Sequence, residues 1–186
     1  MKYRTIVIDP PWKFGEHGME MPMQGGKLKP SPPYDTMTDE EIANFPIKDF
    51  TEKDCSLFFW TTHTKLHVTL NIIEDWGFKY HALLTWDKKG GMCFNGFYRK
   101  TELVVFAYKG KFNIHIGKGE YIPTLFSEKS TNHSSKPSIF YRLIRERTAE
   151  PRIDIFARKR HYGFDAWGNQ VETVMDVPLK LFEKSV

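Results

Sequence analysis

The stretch Thr5-Ile6-Val7-Ile8-Asp9-Pro10-Pro11-Trp12 decides how the rest of this chain is interpreted. Its first four residues are apolar or β-branched, which is typical of a strand buried on both faces of a parallel sheet. The strand must end at Asp9, because Pro10 and Pro11 have no N–H to donate to a neighbouring strand. We therefore predict that Asp9 lies at the carboxyl end of a strand and is followed by a rigid turn that presents Trp12.

This turn carries groups that suit one kind of ligand, and ligands of open α/β sheets bind at this edge. The Asp9 carboxylate and the Pro10 carbonyl can each accept a hydrogen, and we expect no neighbouring N–H to compete for that carbonyl. The ring of Trp12, or of another aromatic nearby, can stack on a flat molecule. The turn therefore fits a planar base with an exocyclic amine. The alternative is a rigid surface turn capped by Trp12, since proline is frequent in such turns.

The chain contains 40% hydrophobic and 27% charged residues, which is the composition of an ordinary globular protein. From its length we expect one domain over residues 1–186. Aromatic residues reach 15% and the net charge is +4, which is compatible with binding to nucleic acid. Neither the histidines nor Cys55 and Cys93 show metal-ligand spacing, so we assign no metal and interpret both cysteines as reduced thiols. We see no signal segment or membrane span and expect a cytoplasmic protein.

Apolar strands and amphipathic helices alternate along most of the chain. Strands are predicted at residues 56–61, 78–86, 103–108 and 152–157, in addition to the first one; helices are predicted after Thr38, at 64–76 and from Pro137 to about 148. Thr38 and Glu41 have the spacing of a capping box. This order predicts an α/β fold with a mostly parallel sheet and helices on both faces. Asp154 falls inside a buried strand and therefore requires a polar partner.

Two stretches, residues 13–33 and 90–100, show neither a helical nor a strand period. Long aperiodic segments in a compact domain are usually binding loops, lids or disordered segments. We expect both stretches to be mobile substrate loops, with a floppy insertion as the alternative for the first. Residues 172–186 are predicted to form a frayed C-terminal tail.

Several motifs follow one another in a fixed order. They are Asp9-Pro10-Pro11-Trp12, Tyr34-Asp35-Thr36-Met37, Leu57-Phe58-Phe59-Trp60, Lys136-Pro137, Phe156-Ala157-Arg158 and Trp167-Gly168-Asn169-Gln170. In this arrangement, which covers residues 3 to about 171, the chain resembles the DPPW-type adenine N6-methyltransferases. The resemblance is to bacterial and phage members of the family that includes the catalytic subunit of the eukaryotic mRNA adenosine methyltransferase.

The resemblance implies a Rossmann-like fold with a permuted motif order, S-adenosylmethionine as methyl donor, and the N6 amine of adenine in nucleic acid as acceptor. It implies catalytic roles for Asp9, Pro10, Pro11 and Trp12. It implies cofactor contacts for Asp9, Lys136, Arg158, Asn169 and Gln170. It implies substrate contacts for Trp12 and Tyr34; Lys159 and Arg160 are assigned as substrate contacts from their charge, because a basic run can contact phosphates. By its sequence alone, Lys136 would be a solvated helix start, and the basic run at Lys159 is either a solvent face or a phosphate-contacting patch.

Other functions remain open at this level. The acceptor could be cytosine N4 or a protein glutamine, although relatives that act on glutamine carry Asn at the position of Asp9. The chain could also be a non-catalytic, nucleic-acid-binding partner subunit, or an enzyme for free nucleotides or other small molecules. DNA is favoured over RNA, because the compact chain resembles the bacterial and phage members. A homodimer or a related second subunit stays open.

Overall fold

Strands and helices alternate along the part of the chain that the structure, a computed structural model, describes. The described residues are 1–13, 23–24, 27–28, 35–94, 96–129, 135–168 and 171. The strands are β1 (Tyr3–Ile8), β2 (Met23–Gln24), β3 (Lys27–Leu28), β4 (Thr51–Thr61), β5 (Lys79–Phe94), β6 (Phe97–Lys109), β7 (Leu125–Ser127), β8 (Arg152–Ile155) and β9 (Asp165–Trp167). The helices are α1 (Asp39–Ala43), α2 (Ile47–Phe50), α3 (Leu66–Asp75) and α4 (Ser138–Arg147).

A seven-stranded sheet in the order β7-β5-β6-β4-β1-β8-β9 organises the fold. β1 pairs in parallel with β4 on one side and with β8 on the other. Within this sheet β6 alone runs against the rest, because it is antiparallel to both of its neighbours. The prediction of a mostly parallel sheet is therefore confirmed, and the exception proves important for the site.

The apolar run of β1 is explained by a core on each face of the sheet. Successive side chains of a strand point to opposite faces. Ile6 and Ile8 join a core that α1 and α3 cover, and Val7 joins a second core that α4 covers. All three side chains are fully buried. The predicted placement of helices on both faces is confirmed.

The predicted strands and the capping box are present, with shifted ends. Thr38 and Glu41 form the box, with the Glu41 N–H donating to the Thr38 hydroxyl at 3.2 Å and the Thr38 N–H to the Glu41 carboxylate at 2.7 Å. β8 ends earlier than predicted, because Phe156 has a φ of 64°, which an extended strand cannot contain. β9 was not predicted by the pattern.

The prediction of an aperiodic loop at residues 90–100 is wrong. β5 continues to Phe94 and β6 begins at Phe97, so this stretch forms the end of a long antiparallel hairpin. A register shift between Asp87 and Met92 breaks the alternation on β5, and that irregularity hides the strand period. Most of the predicted loop 13–33 and all of the tail 172–186 lie outside the described residues; the described part of that loop contains the short β2–β3 pair.

Among the described residues, no helix combines the length and the apolar character that crossing a bilayer requires.

Thr38→Ala should lower the free energy of unfolding by about 1 kcal/mol, the usual cost of losing a side-chain N-cap. The α1 helix contributes the fully buried Ile42 to the core, so loss of the cap should be detected in a global urea denaturation curve. Thr38→Ser keeps the hydroxyl and is the control, which should stay close to the unchanged protein. Equal stability of the alanine and serine variants would contradict this account of the cap.

Candidate active site

The turn after β1 lies where the sequence predicts it, and the backbone holds it in place. The Asp9 N–H donates to the Ile155 carbonyl of β8 at 3.3 Å. The Met37 N–H donates to the Pro11 carbonyl, and the Lys13 N–H donates to the Met37 carbonyl, both at 2.8 Å. Asp9 is thereby fixed at the carboxyl end of β1, next to the equivalent end of β8.

The prediction that no neighbouring N–H competes for the Pro10 carbonyl is wrong. The Trp12 N–H donates to this carbonyl at 2.9 Å. The two prolines remove their own donors, but the tight turn that they impose brings the next available N–H back onto Pro10. A carbonyl oxygen has two lone pairs, so one acceptor position of Pro10 remains available to a ligand.

The prediction that the turn presents Trp12 to a ligand is also wrong. The Trp12 side chain is 5% exposed and belongs to the core on the α3 side. Its ring stacks on Phe59, with centroids 6.0 Å apart, and the Lys65 ammonium lies 5.5 Å from its centre. Trp12 therefore anchors the turn in the core on the α3 side of the sheet. Its indole N–H is buried and has no hydrogen-bond partner among the described residues.

Lys136 lies at the centre of an ionic cluster beside Asp9. Its ammonium is 3.0 Å from the Asp9 carboxylate and 3.0 Å from the Glu102 carboxylate. It also lies 4.8 Å from the centre of the Trp60 ring. Lys88 contacts the other oxygen of Glu102 at 3.2 Å. The Lys136 side chain is 12% exposed, so its alternative interpretation as a solvated helix start is wrong.

Strand direction explains why these residues meet. Asp9 follows β1, and Lys136 precedes α4 by two positions. Glu102 lies in the first half of β6, which runs against β4, so the beginning of β6 lies at the same edge as the ends of β1 and β4. Glu102 and Lys88 are site residues that the sequence analysis missed. A carboxylate directly before the apolar run from Leu103 was the available signal.

The charges in the cluster shift the pKa values of its two carboxylates in opposite directions. Burial raises the pKa of Asp9 above its ordinary value, although Lys136 opposes this. Burial acts in the same direction on Glu102, but Lys136 and Lys88 outweigh it and hold the pKa of Glu102 below its ordinary value. Burial would lower the pKa of Lys136, yet Asp9 and Glu102 outweigh it, so its pKa is raised and it stays charged. Glu102 is therefore firmly ionised, whereas Asp9 has a raised proton affinity.

A second buried carboxyl group, that of Asp154 on β8, lies beside Val7 of β1 and within electrostatic range of Asp9. The Tyr141 hydroxyl donates to Asp154 at 2.8 Å, which supplies the partner that the sequence requires. The His161 ring stacks on Tyr141, with centroids 3.3 Å apart and an interplanar angle of 10°. Burial raises the pKa of Asp154 to about 8, and burial together with Lys159 lowers the pKa of His161 to about 4. Near neutral pH, Asp154 and His161 therefore both carry little charge.

The remaining predicted residues divide into three groups. Arg158 is half-buried, and its charge lowers the pKa of Asp9, so it lies within electrostatic range of the cluster. Lys159 and Arg160 are exposed beside it. The predicted contacts Tyr34, Asn169 and Gln170 lie outside the described residues.

Comparison with known proteins identifies the family of this chain. The family model described as MT-A70 matches residues 3–170. The chain belongs to the MT-A70 family. It is also similar to the Type II methyltransferase M.MunI of Mycoplasma sp, with 29% identity over 194 residues that cover 95% of this chain and 82% of that protein. The ionic cluster described above is therefore the candidate active site of a member of a methyltransferase family.

A cavity of about 260 Å³ lies apart from the active site of this MT-A70 protein. Apolar side chains such as Phe58 and Phe106 line most of it. It includes His81, near the start of β5, and Arg147, the last residue of α4. The active site lies toward the opposite ends of both elements, so the cavity is a separate feature.

Lys136→Met should lower the free energy of unfolding by about 3 kcal/mol. This is the low end of the cost of breaking a buried ion pair, because Glu102 still has Lys88 as a partner. Removal of the ammonium leaves Asp9 without its nearest cation. The control is Lys89→Met, which removes a more exposed cation from Asp87 and should change the free energy of unfolding much less, because solvent screens an exposed pair. Urea denaturation measures both, and equal costs would contradict the central position of Lys136.

Asp154→Asn should remove part of the pH dependence of stability. The pKa of Asp154 in the folded protein, about 8, lies above its ordinary value of 3.8, so the folded state retains a proton that the unfolded state loses. Stability from this group is fully present below about pH 4 and is lost as the pH rises toward 8. The stability of Asp154→Asn relative to the unchanged protein should therefore increase between pH 5 and pH 8. Urea denaturation at both pH values measures this difference, and a constant difference contradicts it.

Proposed function

We propose that this protein transfers a methyl group from S-adenosylmethionine to the exocyclic N6 amine of adenine in nucleic acid, with DNA as the favoured polymer. The observation that carries the proposal is the pairing of Asp9, at the carboxyl end of β1, with a buried lysine in a member of a methyltransferase family. DNA is favoured because the chain resembles compact bacterial and phage members and is similar to the Type II methyltransferase of Mycoplasma sp.

The Asp9 turn provides acceptors suited to an adenine amine. The amine is a weak nucleophile, because its lone pair is delocalised into the ring. Acceptance of its two hydrogens by the Asp9 carboxylate and the free lone pair of Pro10 favours a tetrahedral nitrogen, which stabilises the transition state more than the ground state. The raised proton affinity of Asp9 also suits it to take up the proton that the amine loses when it is methylated.

The residues around Lys136 fit the amino-acid end of S-adenosylmethionine. That cofactor supplies an electrophilic methyl group on a sulfonium, and it carries a carboxylate, an ammonium group and a ribose diol. Lys136 has three N–H donors and uses two of them on Asp9 and Glu102, so one is left for the cofactor carboxylate. The two carboxylates in turn suit the cofactor ammonium.

The segment that leads to Asn169 and Gln170 also fits the proposed cofactor site. A Cβ on Gly168 would lie 2.3 Å from the Ala157 carbonyl oxygen, so only glycine permits this close approach. The Ala157 N–H donates to the Trp167 carbonyl at 2.9 Å. The chain at Gly168 is thereby held against the residue that precedes Arg158. Arginine and asparagine are suitable partners for a ribose diol.

The proposal is tested by incubation with S-adenosylmethionine labelled in its methyl group and with unmethylated DNA, RNA or free nucleotides. Digestion of the polymer to nucleosides and mass spectrometry then identify the methylated base. We expect label in N6-methyladenine, at a higher rate from DNA than from RNA. Label in N4-methylcytosine would identify a different acceptor. Absence of transfer to any acceptor would favour the non-catalytic partner subunit.

Asp9→Asn should reduce the transfer rate by about 10²- to 10³-fold, the effect of removing one preorganised electrostatic contact from a transition state. Asparagine keeps the size of the side chain, but it removes the charge and can direct a donor toward the substrate amine. Asp75→Asn, at the exposed end of α3, is the matched control and should transfer at the unchanged rate. Full activity of Asp9→Asn with an unaltered urea denaturation curve would disprove the assigned role.

A further inference from the structure

We propose that residues 88–102, here called the ribbon, lie in the major groove of duplex DNA beside the target base and determine sequence preference through Phe97 and Tyr98. The ribbon is the part of the β5–β6 hairpin that extends beyond the sheet. This inference rests on the proposed function, since it presumes that a polynucleotide delivers its base to Asp9. Nothing in the catalytic chemistry itself requires the ribbon to touch the substrate.

The ribbon projects from the sheet at the active-site edge. The pairing of β5 with β7 ends at Asp87 and Ser127, and the pairing of β6 with β4 ends at Leu103 and Thr61. Beyond these pairs, β5 and β6 pair only with each other among the described residues. From Leu103 to Phe97 the strand covers about 20 Å at 3.4 Å per residue. A two-stranded ribbon of this kind fits the major groove, which is about 12 Å wide.

Two aromatic rings stand exposed near the end of the ribbon. Phe97 is 75% exposed and Tyr98 is 58% exposed. Consecutive residues of a strand point to opposite faces, so both faces of the ribbon are open to solvent at this position. Among the described residues, both rings therefore keep more than half of their surface open to solvent. In the major groove a phenylalanine ring can contact a thymine methyl group, and a tyrosine hydroxyl can exchange hydrogen bonds with base edges.

The charge of the ribbon also favours a polyanion. Its 15 residues include four basic residues, Lys88, Lys89, Arg99 and Lys100, and one acidic residue, Glu102. Its net charge is therefore +3, compared with +4 for the entire chain. Lys88 is already paired with Glu102 and Lys89 with Asp87. The net positive charge of the ribbon, and not phosphate contacts of these two lysines, therefore speeds the encounter with DNA.

The base of the ribbon is fixed to the catalytic cluster. Glu102, its last residue, contacts Lys136, and Lys136 contacts Asp9. At the other strand, a Cβ on Gly91 would lie 2.4 Å from the Arg99 carbonyl oxygen, so a glycine is required where the two strands come together. The ribbon thus leaves the body at a defined place beside the site. In this proposal, DNA that presents a flipped adenine to Asp9 passes beside the ribbon.

The length of the ribbon defines which bases it can contact. Phe97 lies five positions before Glu102, a distance of about 17 Å along a strand. Base pairs rise about 3.4 Å along each DNA strand, so this distance equals about five base pairs. We therefore expect Phe97 and Tyr98 to contact bases about five positions from the target adenine, on one side of it.

The test uses a double variant that carries both Phe97→Ser and Tyr98→Ser. The control is Tyr121→Ser, which removes an 81% exposed ring from the lining of the separate cavity. All three proteins, including the unchanged one, are assayed on a duplex library randomised around one adenine and on a single-stranded tetranucleotide too short to reach the ribbon. Anisotropy measures duplex binding, and sedimentation measures the oligomeric state. Thermal denaturation checks folding.

We expect the double variant to methylate duplex DNA about 10- to 100-fold more slowly and to lose sequence preference about five positions from the target, as is usual for lost base contacts. Its rate on the tetranucleotide should be unchanged, as should every rate of Tyr121→Ser. Unaltered duplex rate and preference in the double variant would overturn the inference. So would an altered oligomeric state together with slower transfer on both substrates, which would make the ribbon a contact between protein chains.

Failure of the proposed function gives a different result. In that case the unchanged protein transfers no methyl group to any acceptor, and duplex binding alone decides the role of the ribbon. Binding that the double variant weakens by about 10-fold or more supports a DNA-contacting ribbon. Equal binding by both proteins, or no binding by either, overturns it.

Discussion

The Lys136 ammonium between Asp9 and Glu102 is the interaction on which the candidate active site depends. Two partly buried carboxylates would repel each other at this distance, and the lysine makes their proximity stable. Lys88 adds a second cation to Glu102 and not to Asp9, and this asymmetry separates their proton affinities. Glu102 therefore remains ionised, while Asp9 has the higher proton affinity, which suits it to the hydrogen-accepting role that we propose for it. Such a separation of neighbouring acids is how enzymes assign different roles to chemically similar groups.

The fold brings this cluster together because one strand runs against the others. β1 contributes Asp9 after its carboxyl end, and the antiparallel β6 contributes Glu102 near its beginning. The same reversal turns β5 and β6 into a long hairpin whose free end leaves the sheet at the catalytic edge. The site and the ribbon are therefore two results of one topological feature.

Much of the fold was predictable, because its signals are local. The prolines end β1, the Thr38 box begins α1, and the apolar runs mark the central strands. Asp9, Lys136 and Arg158 were assigned through their motifs; in the structure Lys136 contacts Asp9, and Arg158 lies within electrostatic range of Asp9.

What the sequence did not reveal depends on non-local facts. Periodicity does not encode strand direction, so Glu102 could not be placed at the active-site edge. The Pro10 carbonyl and the Trp12 ring were misjudged because a tight turn folds back onto its own backbone and buries its aromatic residue. The register shift between Asp87 and Met92 interrupts the strand alternation, so the ribbon was predicted as a loop.

The most direct test of the central claim is a crystal structure of the protein with S-adenosylhomocysteine, the product that methyl transfer leaves behind. We predict that its carboxylate contacts the Lys136 ammonium and that its ribose lies toward Arg158 and Gly168, with the Pro10 carbonyl open to the acceptor. Binding in the separate cavity beside Phe106, with the contacts of Lys136 to Asp9 and Glu102 unchanged and no ligand near them, would contradict the account.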